Sequence, residues 1–333
     1  MTFQLTEPVL IIGLGGVGTR LAEKAKTSLN SDCLFISYDQ NDLTEENSIK
    51  ISTKSIINPS TQLIRGSALE SADDIKEHIA NYSTIILMSN LAGKTGAGVG
   101  PVISKICKEK QKNLLSFAIM PFKFEKERIF QSGVSLKRLR EDSTCTIVLD
   151  NDALLDSNPD LTQKQCFEIA NKAIEGMVHS LKSSEVSEDT NILATSKSSD
   201  DIETSLKDSL RMLYDDAPPN SIKRSMLYVF GGKDIPIGTL DSLTNIAGGM
   251  FEYNTTHIEQ SSNESKVVVL STVNGETKFD SYDPLGIIPS EKTVDWDEPE
   301  CSIDYKLSLI HISEPTRLLS IGDSLCLIKK KKG

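Results

Sequence analysis

Cysteine and histidine are scarce in this 333-residue chain: it has six cysteines (Cys33, Cys107, Cys145, Cys166, Cys301, Cys326), no two in a C-x-x-C pair, and four histidines. That scarcity argues against a disulfide framework or a zinc site and leaves reduced, buried thiols as the expectation. Positive charge is also in deficit. Lys and Arg number 36 against 47 Asp and Glu, a net charge of −11, and binding free nucleic acid needs a basic face to neutralise phosphates. No apolar run approaches the ~18 residues of a membrane span, and Met1 to Leu10 lacks the basic patch and long apolar core of a secretion signal. The expectation is an acidic cytoplasmic protein with no transmembrane segment and no nucleic-acid partner, long enough for roughly two domains.

What is present is a run of short apolar segments alternating with helical patterns. Val9-Leu-Ile-Ile12 ends in glycines and reads as a strand buried on both faces. A helix over Thr19 to Leu29 follows, then a strand Cys33-Leu-Phe-Ile36 closing on Asp39. Thr84 to Met88, Leu114 to Ile119 and Thr144 to Leu149 supply further strands, with a helix between the first two at Val102 to Lys110. The alternation implies a doubly wound, Rossmann-like parallel sheet whose site lies at the strand C-termini. From Thr162 to Leu181, apolar residues step by three and four along one long amphipathic helix. Ser183 to Asp201 is rich in Ser, Thr, Asp and Glu and reads as a solvated linker. A helix at Asp201 to Tyr214, strands at Ser225 to Phe230 and Lys266 to Leu270, and a helix at Leu240 to Phe251 suggest a smaller second α/β unit.

Two glycine-rich segments carry the chemistry. Gly13-Leu-Gly-Gly-Val-Gly18 fits G-x-G-x-x-G between a strand and a helix, where glycines let backbone N–H groups approach phosphate oxygens at the helix's positive end. With Asp39 placed 21 residues after Gly18, an NAD enzyme whose acid holds a ribose hydroxyl stays open. The same opening, with Glu45-Glu-Asn47, is similar to the ATP-binding start of ubiquitin-activating-type adenylating enzymes. The second segment, Ala92-Gly-Lys-Thr-Gly-Ala-Gly98, contains Gly93-Lys94-Thr95 but is no P-loop, because the glycine that motif requires earlier is replaced by Met88.

Two glycine loops on one sheet are what the tubulin/FtsZ superfamily uses to hold GTP, and the second loop, continuing Val99-Gly-Pro101, resembles that family's G-G-G-T-G-[ST]-G signature. Pro121-Phe-Lys-Phe-Glu125 resembles the FtsZ segment P-F-x-F-E, and Ile147-Val-Leu-Asp-Asn-Asp-Ala-Leu-Leu155 resembles I-x-I-P-N-D-x-L-L. Phe167, Ala170 and Asn171 are similar to the start of the family's central helix. The resemblance implies a GTP-binding domain over 1–160, a central helix over 161–182, a shortened linker over 183–200 and a C-terminal α/β domain over 201–306. It further implies a GTP or GDP ligand with Mg²⁺, and head-to-tail filaments of the chain itself or with other FtsZ- or tubulin-like subunits, in cell division or the cytoskeleton.

By the same resemblance, Gly13, Gly15, Gly16, Gly18 and Thr19 lie at the first phosphate loop, and Gly93, Thr95, Gly96, Ala97 and Gly98 at the second. Glu125 and Arg128 lie near the ribose, Asn151 and Asn171 read the base, and Phe167 stacks on it. Simple core packing for Phe167 and an ordinary polar helix position for Asn171 stay open. Three features depart from the family: Lys94 stands for a glycine beside the phosphates, Thr19-Arg20 stand for small or amide residues, and Arg128 follows Glu125 by three positions rather than four. Hydrolysis in the family needs acids of an N-x-D-x-x-D loop inserted into the neighbouring subunit. Here the nearest candidates are Glu185, Glu188 and Asp189 in a shortened segment that reads equally as an acidic linker. GTPase activity and a non-hydrolysing GTP-binding partner module are both left open. The segment 309–333 resembles translated sequencing-adapter read-through and is expected to be non-native.

Overall fold

The computed structural model describes residues 2–43, 47–53, 58–182, 186–197, 202–230, 238, 241–243, 245, 254–259 and 266–283. The first half alternates β2 (Val9–Leu14), α1 (Gly15–Leu29), β3 (Asp32–Ser37) and β4 (Ser48–Lys50), after a short β1 (Thr2–Phe3). It continues through α2 (Thr61–Glu70), α3 (Ala72–Ile79), β5 (Thr84–Asn90), α4 (Lys94–Glu109), β6 (Asn113–Met120), α5 (Lys126–Asp142) and β7 (Cys145–Asp150). Next come α6 (Asn151–Ser157), α7 (Gln163–Ser180), β8 (Val186–Ser187), β9 (Thr190–Thr195), α8 (Ile202–Asp216), β10 (Ile222–Phe230), β11 (Asn254–Glu259) and β12 (Lys266–Val273).

One sheet runs in the order β4-β3-β2-β5-β6-β7-β9-β12-β10-β11. It is parallel from β4 to β9; β12 is antiparallel to both β9 and β10, and β11 runs parallel to β10. The apolar runs are buried throughout β2 and β7, as strands covered on both faces must be. After β2 the chain moves outward to β3, and after β5 it moves the other way to β6. Right-handed crossovers therefore send α1 and α4 to opposite faces and open a crevice between the C-termini of β2 and β5. On one side α7 packs along α1, and on the other α4 packs against α2 and α5.

The fold is thus the expected mostly parallel α/β sheet. The solvated linker expected over 183–200 is corrected where it is described: Thr190–Thr195 is strand β9, buried between β7 and β12. Only three apolar residues, Ile192 to Ala194, mark it in the sequence, too few to show a period. Its buried amide, Asn191 Nδ2, is satisfied by the carbonyls of Ser187 and Asp189, both at 3.0 Å. The helix expected at Leu240 to Phe251 is helical at 241–243 and 245, and its other positions, like the 309–333 tail, lie outside the described residues.

Candidate nucleotide-binding site

Both glycine segments belong to helix starts. α1 begins at Gly15 and α4 at Lys94, several residues before the helices expected from periodicity. Gly15 has φ +64, which favours glycine. At Gly18 and Gly96 the backbones of Met88 and Asn90 leave no room for a Cβ, so glycine lets the two loops close onto the sheet. Neither helix has a side-chain N-cap or an acid in its first turn. α2, α6 and α7, by contrast, are capped by Ser60, Asp150 and Thr162. Two sets of unclaimed N–H groups therefore face one crevice, an arrangement suited to an anion.

The two loops touch. A Cβ on Gly15 would stand 3.3 Å from Thr95 Oγ1, and one on Gly16 would meet Asp42 Oδ1 at 2.5 Å. Asp42 had not stood out in the sequence, because it comes from a 3₁₀ turn after β3 rather than from a motif. Ser37 Oγ donates to its carboxylate at 2.9 Å and lies 3.4 Å from Thr95 Oγ1. Asp39 caps this same turn, accepting from Asn41 N at 2.9 Å, so its carboxylate is engaged locally. Thr19 is buried, with no hydrogen-bond partner for its Oγ1. Lys94 Nζ is engaged outside the glycine loop, donating to Asn58 Oδ1 at 2.5 Å and the Pro59 carbonyl at 2.8 Å.

At the same end of the sheet, the loops after β6 and β7 carry the remaining candidates. Glu125 and Arg128 pair at 2.7 Å, so the three-residue spacing brings them together. Phe122 packs edge-on against Phe167 at 5.5 Å and stacks on Phe124 at 5.0 Å, with Phe124 61% exposed. Asn171 is half-buried one turn beyond Phe167 on α7. Asn151 opens α6; its Nδ2 donates to the Met120 carbonyl at 3.1 Å, and its buried Oδ1 has no partner.

Beneath Asn151 lies a buried charge cluster that the sequence did not disclose, since its members are far apart in the chain. Lys278 Nζ reaches Asp150 at 2.7 Å, Asp215 at 2.8 Å, Asp216 at 3.4 Å and Asp152 at 3.7 Å. Lys123 also pairs with Asp152 at 2.9 Å and Asp156 at 2.6 Å. Burial pushes the Asp150 carboxyl up against the opposing pull of Lys278. Burial and then the Asp150 charge push Asp216 well up, so the pair gives up its last proton at higher pH than free carboxyls do. Burial acts to lower Lys278 but is outweighed by Asp150 and Asp216, and its ammonium is held above its ordinary range.

Glu188 and Asp189 lie away from all of this. They sit between β8 and β9, at the end of the sheet where β7 begins, with Glu188 half-buried and Asp189 exposed. Glu185 lies outside the described residues.

The family model for the tubulin/FtsZ GTPase domain matches residues 8–159, a span that covers both glycine loops, the Glu125 loop and Asn151. Residues 8–159 belong to the tubulin/FtsZ family. Cell division protein FtsZ 2 of Halobacterium salinarum is 29% identical over 178 residues, covering 50% of this chain and 44% of that protein. The chain thus spans less than half the length of this curated FtsZ relative. An FtsZ dimer structure from M. jannaschii aligns with a TM-score of 0.63 at 18% identity, over 80% of this chain and 88% of that one. CetZ from Methanosaeta thermophila aligns with a TM-score of 0.63 at 14% identity, over 97% and 98%. At those identities the two solved structures establish the fold, and it is the FtsZ/tubulin fold.

Proposed function

We propose that the chain binds GTP or GDP in the crevice between α1 and α4 and acts as a cytoskeletal or cell-division subunit, assembling head to tail with itself or with other FtsZ- or tubulin-like proteins. The observation that carries this reading is the convergence of two uncapped, acid-free helix N-termini at the sheet's switch point. The residues fit the nucleotide. Gly13, Gly15, Gly16 and Gly18 line one side of the phosphate cradle, and Gly93 to Gly98, with the Thr95 hydroxyl, line the other. The unpartnered Asn151 Oδ1 is an acceptor for the N–H edge of guanine, an edge that adenine lacks. Phe167 offers a ring and Asn171 an amide on the same helix face, and the Glu125–Arg128 pair stands near the ribose.

Among the described residues no group of three or more His, Cys, Asp and Glu could hold a metal ion. Mg²⁺ would therefore need phosphate oxygens as ligands beside Asp42 and the Thr95 and Ser37 hydroxyls, where it would offset the repulsion between phosphate and the Asp42 carboxylate. The division into a nucleotide unit over 1–160 and a C-terminal unit over 201–306 is part of the same proposal, with the sheet running through both.

Hydrolysis in this reading depends on a neighbour's Glu188 and Asp189, since both lie at the far end of the sheet from their own subunit's phosphates. The alternative, a module that holds GTP without turning it over, is favoured by the shortness of that loop: two residues separate β8 from β9. Titration of the chain with GTP, GDP, ATP and NAD, with turnover and light scattering followed against protein concentration, separates the readings. GTP-selective binding with turnover rising steeply with concentration is expected of the shared site, and binding without turnover of the holding module. Preference for ATP or NAD overturns both.

A further inference from the structure

Arg20 is absorbed by none of the roles above. It is the sixth residue of α1, four positions after Gly16, and helical side chains lean back toward the N-terminus over the residue four before them. Its Nη1 accordingly lies 3.5 Å from where a Cβ on Gly16 would stand, beside the space that Asp42 overhangs. The side chain is exposed, and it has no hydrogen-bond or ion-pair partner among the described residues. Lys94, the cation that the second glycine loop offers, is tied back to Asn58 and Pro59. The cradle thus has oriented N–H groups from two helices and a carboxylate at its rim, with one uncommitted guanidinium on the same side as that carboxylate.

We propose that Arg20 is a phosphate-binding residue of this chain, its planar fork closing over the phosphates held by the first glycine loop. This rests on the nucleotide reading of the crevice but is indifferent to the base. Arg20 offers an uncommitted guanidinium where the Lys94 ammonium is already engaged by Asn58 and Pro59, and it balances Asp42 across Gly16.

The test measures affinities of wild type, Arg20→Gln and Arg20→Lys for GTP, GDP, ATP, inorganic pyrophosphate and guanosine. Arg20 is exposed, so Arg20→Gln is expected to fold normally. It should weaken every phosphate-bearing probe that the wild type binds by roughly ten- to hundredfold, the loss of a charge-assisted contact, while leaving guanosine unchanged. Arg20→Lys should recover part of the loss. Unchanged phosphate affinity in Arg20→Gln overturns the proposal, as does an equal loss for guanosine. If the wild type prefers ATP, the guanine reading fails while the Arg20 comparison on ATP and pyrophosphate still decides this one. If it binds no phosphate probe, both fall.

Discussion

At the scale of single residues, the second glycine loop shows how a local defect is used. Pro101 lies inside α4 and has no N–H to give the Ala97 carbonyl four residues earlier. That carbonyl instead accepts from Ser135 Oγ at 2.8 Å and from Arg65 Nη2 at 3.3 Å, one donor from α5 and one from α2. The first turn of α4 is therefore fixed by two neighbouring helices as well as by its own. Ser135→Ala should leave the buried acceptor with the longer bond alone and cost about 1 kcal/mol. Chemical denaturation should register that loss, and phosphate affinity should fall modestly with it. Unaltered stability would mean that Arg65 suffices. None of this was legible in the sequence: Ala97 was assigned for its position in a motif, whereas what holds it comes from residues 32 and 38 positions away.

At the scale of elements, the motifs gave the strand–loop–helix junctions, because glycines at a strand end are a local signal. They did not give α2, α3 or α5, whose sequences carry no motif, and they missed β9, which is strand only because β7 and β12 flank it. The charge cluster beneath Asn151 is the same kind of case, joining the end of β7, the end of α8 and a turn at Lys278–Tyr282. Asp150 and Asp216 are both raised, so the native state gives up protons at higher pH than the unfolded chain, which releases them near pH 4. A raised group adds stability that is complete below its unfolded pKa and declines as pH rises through its folded one. Lys278, Asp152, Asp215 and Tyr282 face the pair and set where that decline ends. Asp216→Asn keeps a donor toward Asp150 and cannot ionise. The stability of the variant relative to wild type should therefore increase from pH 4 upward, by at most about 1.4 kcal/mol per pH unit. A difference independent of pH would show the pair to be fully ionised in the native protein.

At the scale of the whole molecule, the sheet has two ends with different chemistry. The glycine loops, the Glu125 loop and Asn151 occupy the C-terminal end of the parallel strands, and the acids Glu188 and Asp189 occupy the other. The six residues of β7 alone span roughly 20 Å at about 3.3 Å per residue, beyond the reach of an acidic side chain. In the proposed head-to-tail reading one subunit's acids would meet phosphates only in another subunit, and such a contact between unlike ends, where its rotation does not close a ring, would propagate into a filament. Mixing subunits tests this. Glu188→Gln with Asp189→Asn should bind nucleotide as wild type does yet turn none over. Gly15→Val, which forces a β-branched side chain onto a residue at φ +64, should lose nucleotide while keeping its acids. Each variant alone is expected to be inactive, and an equal mixture should recover turnover, because the acids of one complete the phosphate site of the other. Full activity in the first variant alone would remove Glu188 and Asp189 from the mechanism, whereas binding without turnover in wild type and mixture alike would make the chain a holder of nucleotide.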